Sequence, residues 1–120
     1  MQTLIALGSI MMFLAVALGA FGAHALKRRL SVDMIKIYET GVLYHLVHGL
    51  GLILIGLLAD RLEQSHLVSV AGWLLFAGII LFSGSLYALS ITGVRKLGAI
   101  TPLGGVAFLA GWGILLIAVL

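Results

Sequence analysis

Four long stretches carry no Lys, Arg, Asp or Glu at all: Thr3–Ala25, Thr40–Ala59, Leu67–Gly93 and Leu97–Leu120. A bilayer core about 30 Å thick is crossed by roughly 20 apolar helical residues, so each stretch is long enough to span it. Every charged side chain falls in the segments between, Leu26–Glu39, Asp60–His66 and Val94–Lys96. Connections this short force neighbouring helices antiparallel. The expected fold is all-α, an integral membrane four-helix bundle of up-and-down topology, with residues 1–120 forming a single four-span transmembrane domain.

Composition removes the other classes. Hydrophobic residues make up 62% of the chain and charged ones 9%, against about 25% charged in an ordinary soluble domain. Neither a water-soluble globule nor a disordered chain can be built from this. There is no cysteine, which excludes disulfides, thiolate nucleophiles and Cys-ligated metal centres. A formal charge of +3 is too small for a nucleic-acid footprint. Ala23-His24-Ala25 has the small-x-small form of a signal-peptidase site. No basic residue precedes the apolar run, however, and the run exceeds an ordinary signal core, so a retained first span is expected.

The first connection has a pattern of its own. Leu30, Met34, Ile37 and Tyr38 recur at helical spacing, Ser31 can cap a first turn, and Asp33 suits its positive end. It reads as a short interfacial helix between spans one and two, or as a plain charged connector. Lys27, Arg28, Arg29, Lys36, Arg95 and Lys96 share one side of the membrane, and only Arg61 lies on the other. The bias places the basic side in the cytoplasm and both termini outside, in a multi-pass protein of the cell (inner) membrane.

Helices in lipid associate through small residues and hydrogen bonds. Span one offers the ladder Ala15, Gly19, Ala23. In span two, Gly41, Tyr44, His45, His48, Gly51 and Gly56 share one side, and Val42, Leu43, Leu46, Leu50, Ile53 and Leu57 the other. Span three has two special stripes, Ser83, Tyr87, Ser90 and Gly78, Ser85, Thr92, which places it centrally between two neighbours. In span four, Thr101-Pro102 reads as an Ncap–N1 pair that starts a helix inside the membrane; a helix continuous from Leu97 is the alternative. With the basic side fixed, His24, Tyr44, His45, His48, Ser83, Ser85, Tyr87, Ser90, Thr92 and Thr101 all lie in one half of the membrane. The other half is almost purely aliphatic.

These residues also carry a resemblance. Leu18-Gly-Ala-Phe-Gly-Ala-His24-Ala-Leu26, Tyr44 with His48, Phe82-Ser-Gly-Ser-Leu-Tyr87, Thr92-Gly93, Leu97-Gly-Ala-Ile-Thr-Pro-Leu-Gly-Gly105 and Gly111-Trp112 run in order along nearly the whole chain. The pattern resembles the YgdD/YwdK-like small inner-membrane protein family, related to eukaryotic transmembrane protein 256. The resemblance implies a four-span inner-membrane protein and no known activity. Where that family often has Gln, this chain has His45, which puts any shared role on His48. A basic C-terminal tail found in some members is missing.

For function, an ionisable residue inside a span is a candidate by default. His48 stands out, and is expected to face the bundle and bond a Ser or Tyr of span three. A non-catalytic membrane protein is expected, binding a lipid headgroup or a partner helix at the polar cluster His24, Tyr44, His48, Ser83, Ser85, Tyr87 and Thr101. Helix N–H groups at Pro102 would favour an anion there. Lys27, Arg28, Arg29, Arg95 and Lys96 would draw anionic lipid to the same side. The alternative is a small oligomeric channel or carrier for a small solute or proton. The partners expected are membrane lipids, with a second copy or another membrane protein as the other class, and no nucleic acid. Enzyme chemistry is not expected: Ser83 or Ser85 with His48 lacks a carboxylate to orient the imidazole. No metal or other cofactor is expected either, because His24, His45 and His48 have no carboxylate beside them within a span. Gly19-x-x-Gly22 and Gly104-Gly105 lie in spans and serve packing.

Overall fold

A computed structural model describes residues 2–120. Helix α1 covers Gln2–His24, α2 Val32–Ala59, α3 Ser65–Gly78, α4 Gly84–Thr92 and α5 Thr101–Val119. A turn of π-helix, Ile79–Ser83, joins α3 to α4 without a break, so the two form one span from Ser65 to Thr92. Single 3₁₀ turns, Leu26–Arg28 and Arg95–Ala99, precede α2 and α5. The four apolar helical spans make the chain an all-helical membrane bundle.

The first connection shows how sequence sets a helix start. The 3₁₀ turn tucks Leu26 into the bundle and leaves Lys27, Arg28 and Arg29 exposed. Ser31 then adopts an extended conformation and its hydroxyl accepts from the Met34 N–H at 3.2 Å, with Asp33 in the first turn. This is the N-cap read from the sequence. The separate interfacial helix is not there. Once started at Val32, α2 runs unbroken to Ala59. At 1.5 Å per residue its 28 residues reach about 42 Å, more than the hydrocarbon needs, so its first two turns extend into the interface. Nothing between Glu39 and Thr40 breaks a helix, and the Thr40 hydroxyl bonds back to the Lys36 carbonyl at 2.9 Å.

The start of α5 also departs from expectation. Thr101 is the first helical residue rather than its cap, and Ile100 before it is already in the right-handed helical region. The 3₁₀ turn feeds straight into the helix: Ile100 N–H bonds Leu97 O at 3.1 Å, and Leu103 N–H bonds Ile100 O at 3.0 Å. Pro102, which has no N–H, fits this first turn. The turn thus takes up N–H groups that an open helix end would have aimed into the polar cluster. At the other side of this connection α4 ends on Gly93, whose φ of +73° is the left-handed conformation that glycine adopts without cost.

The bundle is flat, 49 × 25 × 17 Å. α1 packs along α2, and the third span lies between α2 and α5. The third span turns Ser83 and Tyr87 toward α2 and Gly78 and Ser85 toward α5, as the sequence predicts, whereas Thr92, expected on the second stripe, is exposed and bonds back to the Ala88 carbonyl. Two contacts are backbone-close and need glycine. A side chain on Gly104 would run into the Phe82 backbone, and one on Gly8 into Ile53 and the Gly49 carbonyl. Ile53, placed by the sequence on the lipid face of α2, therefore packs against α1. The apolar core, with Leu4, Leu52, Ile55, Val68, Ala71 and Leu75 fully buried, fills the half of the bundle away from the basic connections.

Candidate functional site

The polar residues of the other half do not converge on one pocket. Interhelical packing distributes them over three places. Between α4 and α5, the Ser85 and Thr101 hydroxyls are 2.6 Å apart. Ser85 donates its proton to the Phe82 carbonyl at 2.9 Å, so Thr101 is the donor in the pair. Between α2 and the third span, Ser83 donates to the Gly41 carbonyl at 2.7 Å, and Tyr87 Oη lies 2.8 Å from His45 Nδ1. Tyr38, its ring tilted against that of Tyr87, donates to the Leu18 carbonyl of α1. Ser90 and Thr92 bond carbonyls of their own helix.

The third place is the seam between α2 and α5, where His48 lies. His48 faces the bundle and is 5% exposed. Its partner is not on the third span. Nδ1 lies 2.8 Å from the Tyr44 carbonyl one turn back, and Trp112 of α5 donates its indole N–H to Nε2 at 3.0 Å. Indole only donates, so Nε2 must accept and the proton must sit on Nδ1. That pairing fits only a neutral ring. The imidazole also stacks on Phe108, centroid to centroid 3.6 Å. A Ser or Tyr partner was expected because span three carries the hydroxyls; they turn instead to the Gly41 carbonyl, to His45 and to α5. The sequence did hold a signal for Trp112, which follows Phe108 by one helical turn on the face where Gly104 and Gly111 meet the third span.

Over His48 lies an open groove of about 600 Å³. Tyr44, Val47 and His48 of α2 form one wall, Pro102, Gly105, Val106, Leu109 and Trp112 of α5 the other, with Phe82 and Phe108 at its base. The rings are packed together, Tyr44 on Phe82 at 4.5 Å and Phe82 on Phe108 at 5.5 Å. Tyr44 is 39% exposed, so it borders this groove instead of sitting inside the bundle. Pro102 marks the end next to the Arg95–Ala99 turn, where Arg95 and Lys96 are exposed. A second groove of about 430 Å³ continues past Trp112 along Leu54, Leu58 and Leu115 to Arg61. Of the other expected residues, His24 is exposed at the end of α1, away from this seam, and Lys27, Arg28 and Arg29 are exposed beside it.

Among the described residues no group of His, Asp and Glu is placed to hold a metal ion. A family model described as "Protein of unknown function (DUF423)" matches residues 18–105. The chain is 52% identical over 118 residues to the UPF0382 membrane protein YwdK of Bacillus subtilis (strain 168), covering 98% of this chain and 96% of that one. It is 51% identical over 120 residues to a UPF0382 membrane protein of Staphylococcus epidermidis (strain ATCC 12228 / FDA PCI 1200), covering 100% of this chain and 97% of the relative. No solved structure matches it. With a family model over most of its length and full-length relatives at half identity, the chain belongs to the DUF423 family of membrane proteins, whose function is unknown.

Proposed function

We propose that this is a non-catalytic lipid-binding membrane protein, in which the groove between α2 and α5 holds an acyl chain of an anionic phospholipid. The observation that carries this reading is the groove itself. It is apolar, floored by aromatic rings, and its Pro102 end lies next to the two basic residues Arg95 and Lys96, against the single Arg61 at the far end of its continuation. From Pro102 to Trp112 it extends about 15 Å along α5, the thickness of one leaflet. A chain lying there brings its headgroup to Arg95 and Lys96, where each basic residue near the surface adds about 1 kcal/mol of attraction for anionic lipid. The polar cluster serves a different purpose in this reading. Its hydroxyls and imidazoles are largely engaged with one another and with carbonyls, so they hold the helices in register and shape the groove rather than receive the headgroup.

A channel of several copies finds less support, because a water path needs polar groups along a whole span and the distal half of each helix is aliphatic.

Native mass spectrometry from mixed phosphatidylglycerol and phosphatidylcholine tests the proposal. Preferential retention of phosphatidylglycerol is expected. Arg95→Ala with Lys96→Ala should remove the preference, and Gly105→Leu, which fills the groove where no other atom stands, should remove retention itself. Equal retention of both lipids, unchanged by these substitutions, would overturn it.

A further inference from the structure

The seam between α2 and α5 does not end at Trp112. The groove beyond it, about 430 Å³, is walled by Leu54, Ile55, Leu57 and Leu58 of α2 and by Leu115 of α5, and Arg61 stands at its far end. Trp112 lines both grooves, and its bond to His48 fixes the indole between them. Depth follows from α2. His48 lies eleven residues before Ala59, where that helix ends and the charged turn begins. Eleven residues rise about 16 Å, and one leaflet of the hydrocarbon is about 15 Å thick. Trp112 therefore lies near the midplane, and the groove beyond it belongs to the leaflet opposite the basic connections. A chain that enters beside Arg95 and Lys96 has used up its own leaflet when it reaches the indole. What fills the far groove comes from the other side.

The charges on that side differ in kind. Asp60, Arg61 and Glu63 are all exposed on the turn between α2 and α3, and Arg61 is the one Lys or Arg at this end of the bundle. The Arg61 and Leu62 N–H groups both bond the Leu58 carbonyl, at 2.9 and 3.1 Å, so the chain turns tightly and keeps Arg61 at the mouth. Glu63 lines a cavity of about 320 Å³ with Gln64 and the last residues of α5, Ile117 to Leu120. A headgroup with phosphate alone meets one guanidinium there and carboxylates close beside it. A headgroup with a phosphate and a cation meets both signs. Of the common zwitterions, phosphatidylethanolamine brings a primary ammonium with three N–H donors, which a carboxylate can accept, as it accepts from lysine. The trimethylammonium of phosphatidylcholine has no N–H to offer.

We infer that the far groove is a second lipid site, which takes an acyl chain of phosphatidylethanolamine from the leaflet opposite the basic connections, with Arg61 at the phosphate and Glu63 at the ammonium. Leu54 and Leu57 are 58% and 55% exposed, so the groove opens sideways to lipid along its length. The site does not depend on what fills the groove toward Pro102, since the two share only the Trp112 ring and carry different charges at their mouths. The bundle then meets a different headgroup at each face of the membrane.

Trp112 can report on its own neighbours. The chain has two tryptophans, and Trp73→Phe leaves Trp112 alone. In phosphatidylcholine nanodiscs doped with lipids of dibrominated acyl chains, bromine near Trp112 quenches its fluorescence. Brominated phosphatidylethanolamine should quench at a concentration about two- to fivefold lower than brominated phosphatidylcholine, the reach of an exposed ion pair. Arg61→Gln with Glu63→Gln should make the two lipids equal, and Arg61→Lys, which keeps the charge, should retain most of the preference. Brominated phosphatidylglycerol, run in parallel, reads the groove toward Pro102, and its quenching should not change with Arg61→Gln and Glu63→Gln. Equal quenching by phosphatidylethanolamine and phosphatidylcholine in the Trp73→Phe protein, or a preference that survives Arg61→Gln with Glu63→Gln, would overturn the inference.

Discussion

The indole N–H of Trp112 donates to Nε2 of His48 across 3.0 Å, and this single bond ties α5 to α2 in the middle of the bundle. It also fixes the imidazole as a neutral ring with its proton on Nδ1, shared with the Tyr44 carbonyl. The ring is held from both edges and stacked on Phe108 from one face. A double-mutant cycle of His48→Phe and Trp112→Phe should return a coupling of about 0.6–1.7 kcal/mol, the range of interhelical hydrogen bonds in membranes. Unfolding in detergent or bicelles measures it. Coupling indistinguishable from zero would reduce Trp112 to a packing residue.

Adjacent glycines of α5 should respond in opposite ways. An added Cβ on Gly104 would come to 2.6 Å from Phe82 Cβ and 2.7 Å from its Cα, and backbone cannot give way there. Gly104→Ala should destabilise by about 1–3 kcal/mol, as overpacking does. On Gly105 the same methyl meets nothing within 4 Å, and Gly105→Ala should be neutral or mildly stabilising. Thermal unfolding of the two variants side by side decides it. Equal losses would mean that α5 does not approach Phe82 as described.

Thr101→Val should be mild. Thr101 donates to Ser85, but Ser85 keeps its own donation to the Phe82 carbonyl. No buried donor is stranded by the change, and a cost below about 1 kcal/mol is expected. A larger loss in the same unfolding measurement would show that Thr101 caps α5 after all.

These positions show how far the sequence could be read. Spans, antiparallel order, the Ser31 cap and the two stripes of the third span followed from charge placement and helical spacing, which are local properties. The partners of polar residues did not. His48 and Tyr87 were both legible as bundle-facing, yet Tyr87 chose His45, one turn from His48, and His48 chose Trp112, which helical spacing puts on the packed face of α5 without assigning it to any one imidazole. Tyr44 reads as interior by its neighbours on the helical wheel and is in fact at a groove edge. Which hydroxyl meets which imidazole depends on the rotation and offset of one helix against another, set by close contacts such as Gly104 on Phe82. A periodic pattern fixes a face to within a residue or so. Hydrogen bonds are decided within an ångström.

Orientation can be checked independently. Lys27, Arg28, Arg29, Lys36, Arg95 and Lys96 occupy one end of the bundle and Arg61 the other. The positive-inside rule predicts that the basic end faces the cytoplasm and residue Leu120 the outside. A periplasm-active or extracytoplasmic reporter fused after Leu120 should be active, and a reporter that works only in the cytoplasm should be silent. The reverse pattern would place Arg95 and Lys96 on the outer leaflet.

The π turn at Ile79–Ser83 makes the third span two helices of different phase spliced end to end. Gly72, Leu75 and Gly78 are set by one phase, Ser83, Ser85 and Tyr87 by the other, and the extra residue in the turn is the offset between them. Deleting one residue inside the turn would close it to ordinary α-helix, four residues doing what five do now, and leave Ser85 and Tyr87 nearly in line with Thr101 and His45. The same deletion in the regular helix on either side would rotate everything beyond it by about 100°. Insertions and deletions are usually harmless only in loops; here the middle of a membrane span is a place where a single codon can be lost without turning the faces of the bundle.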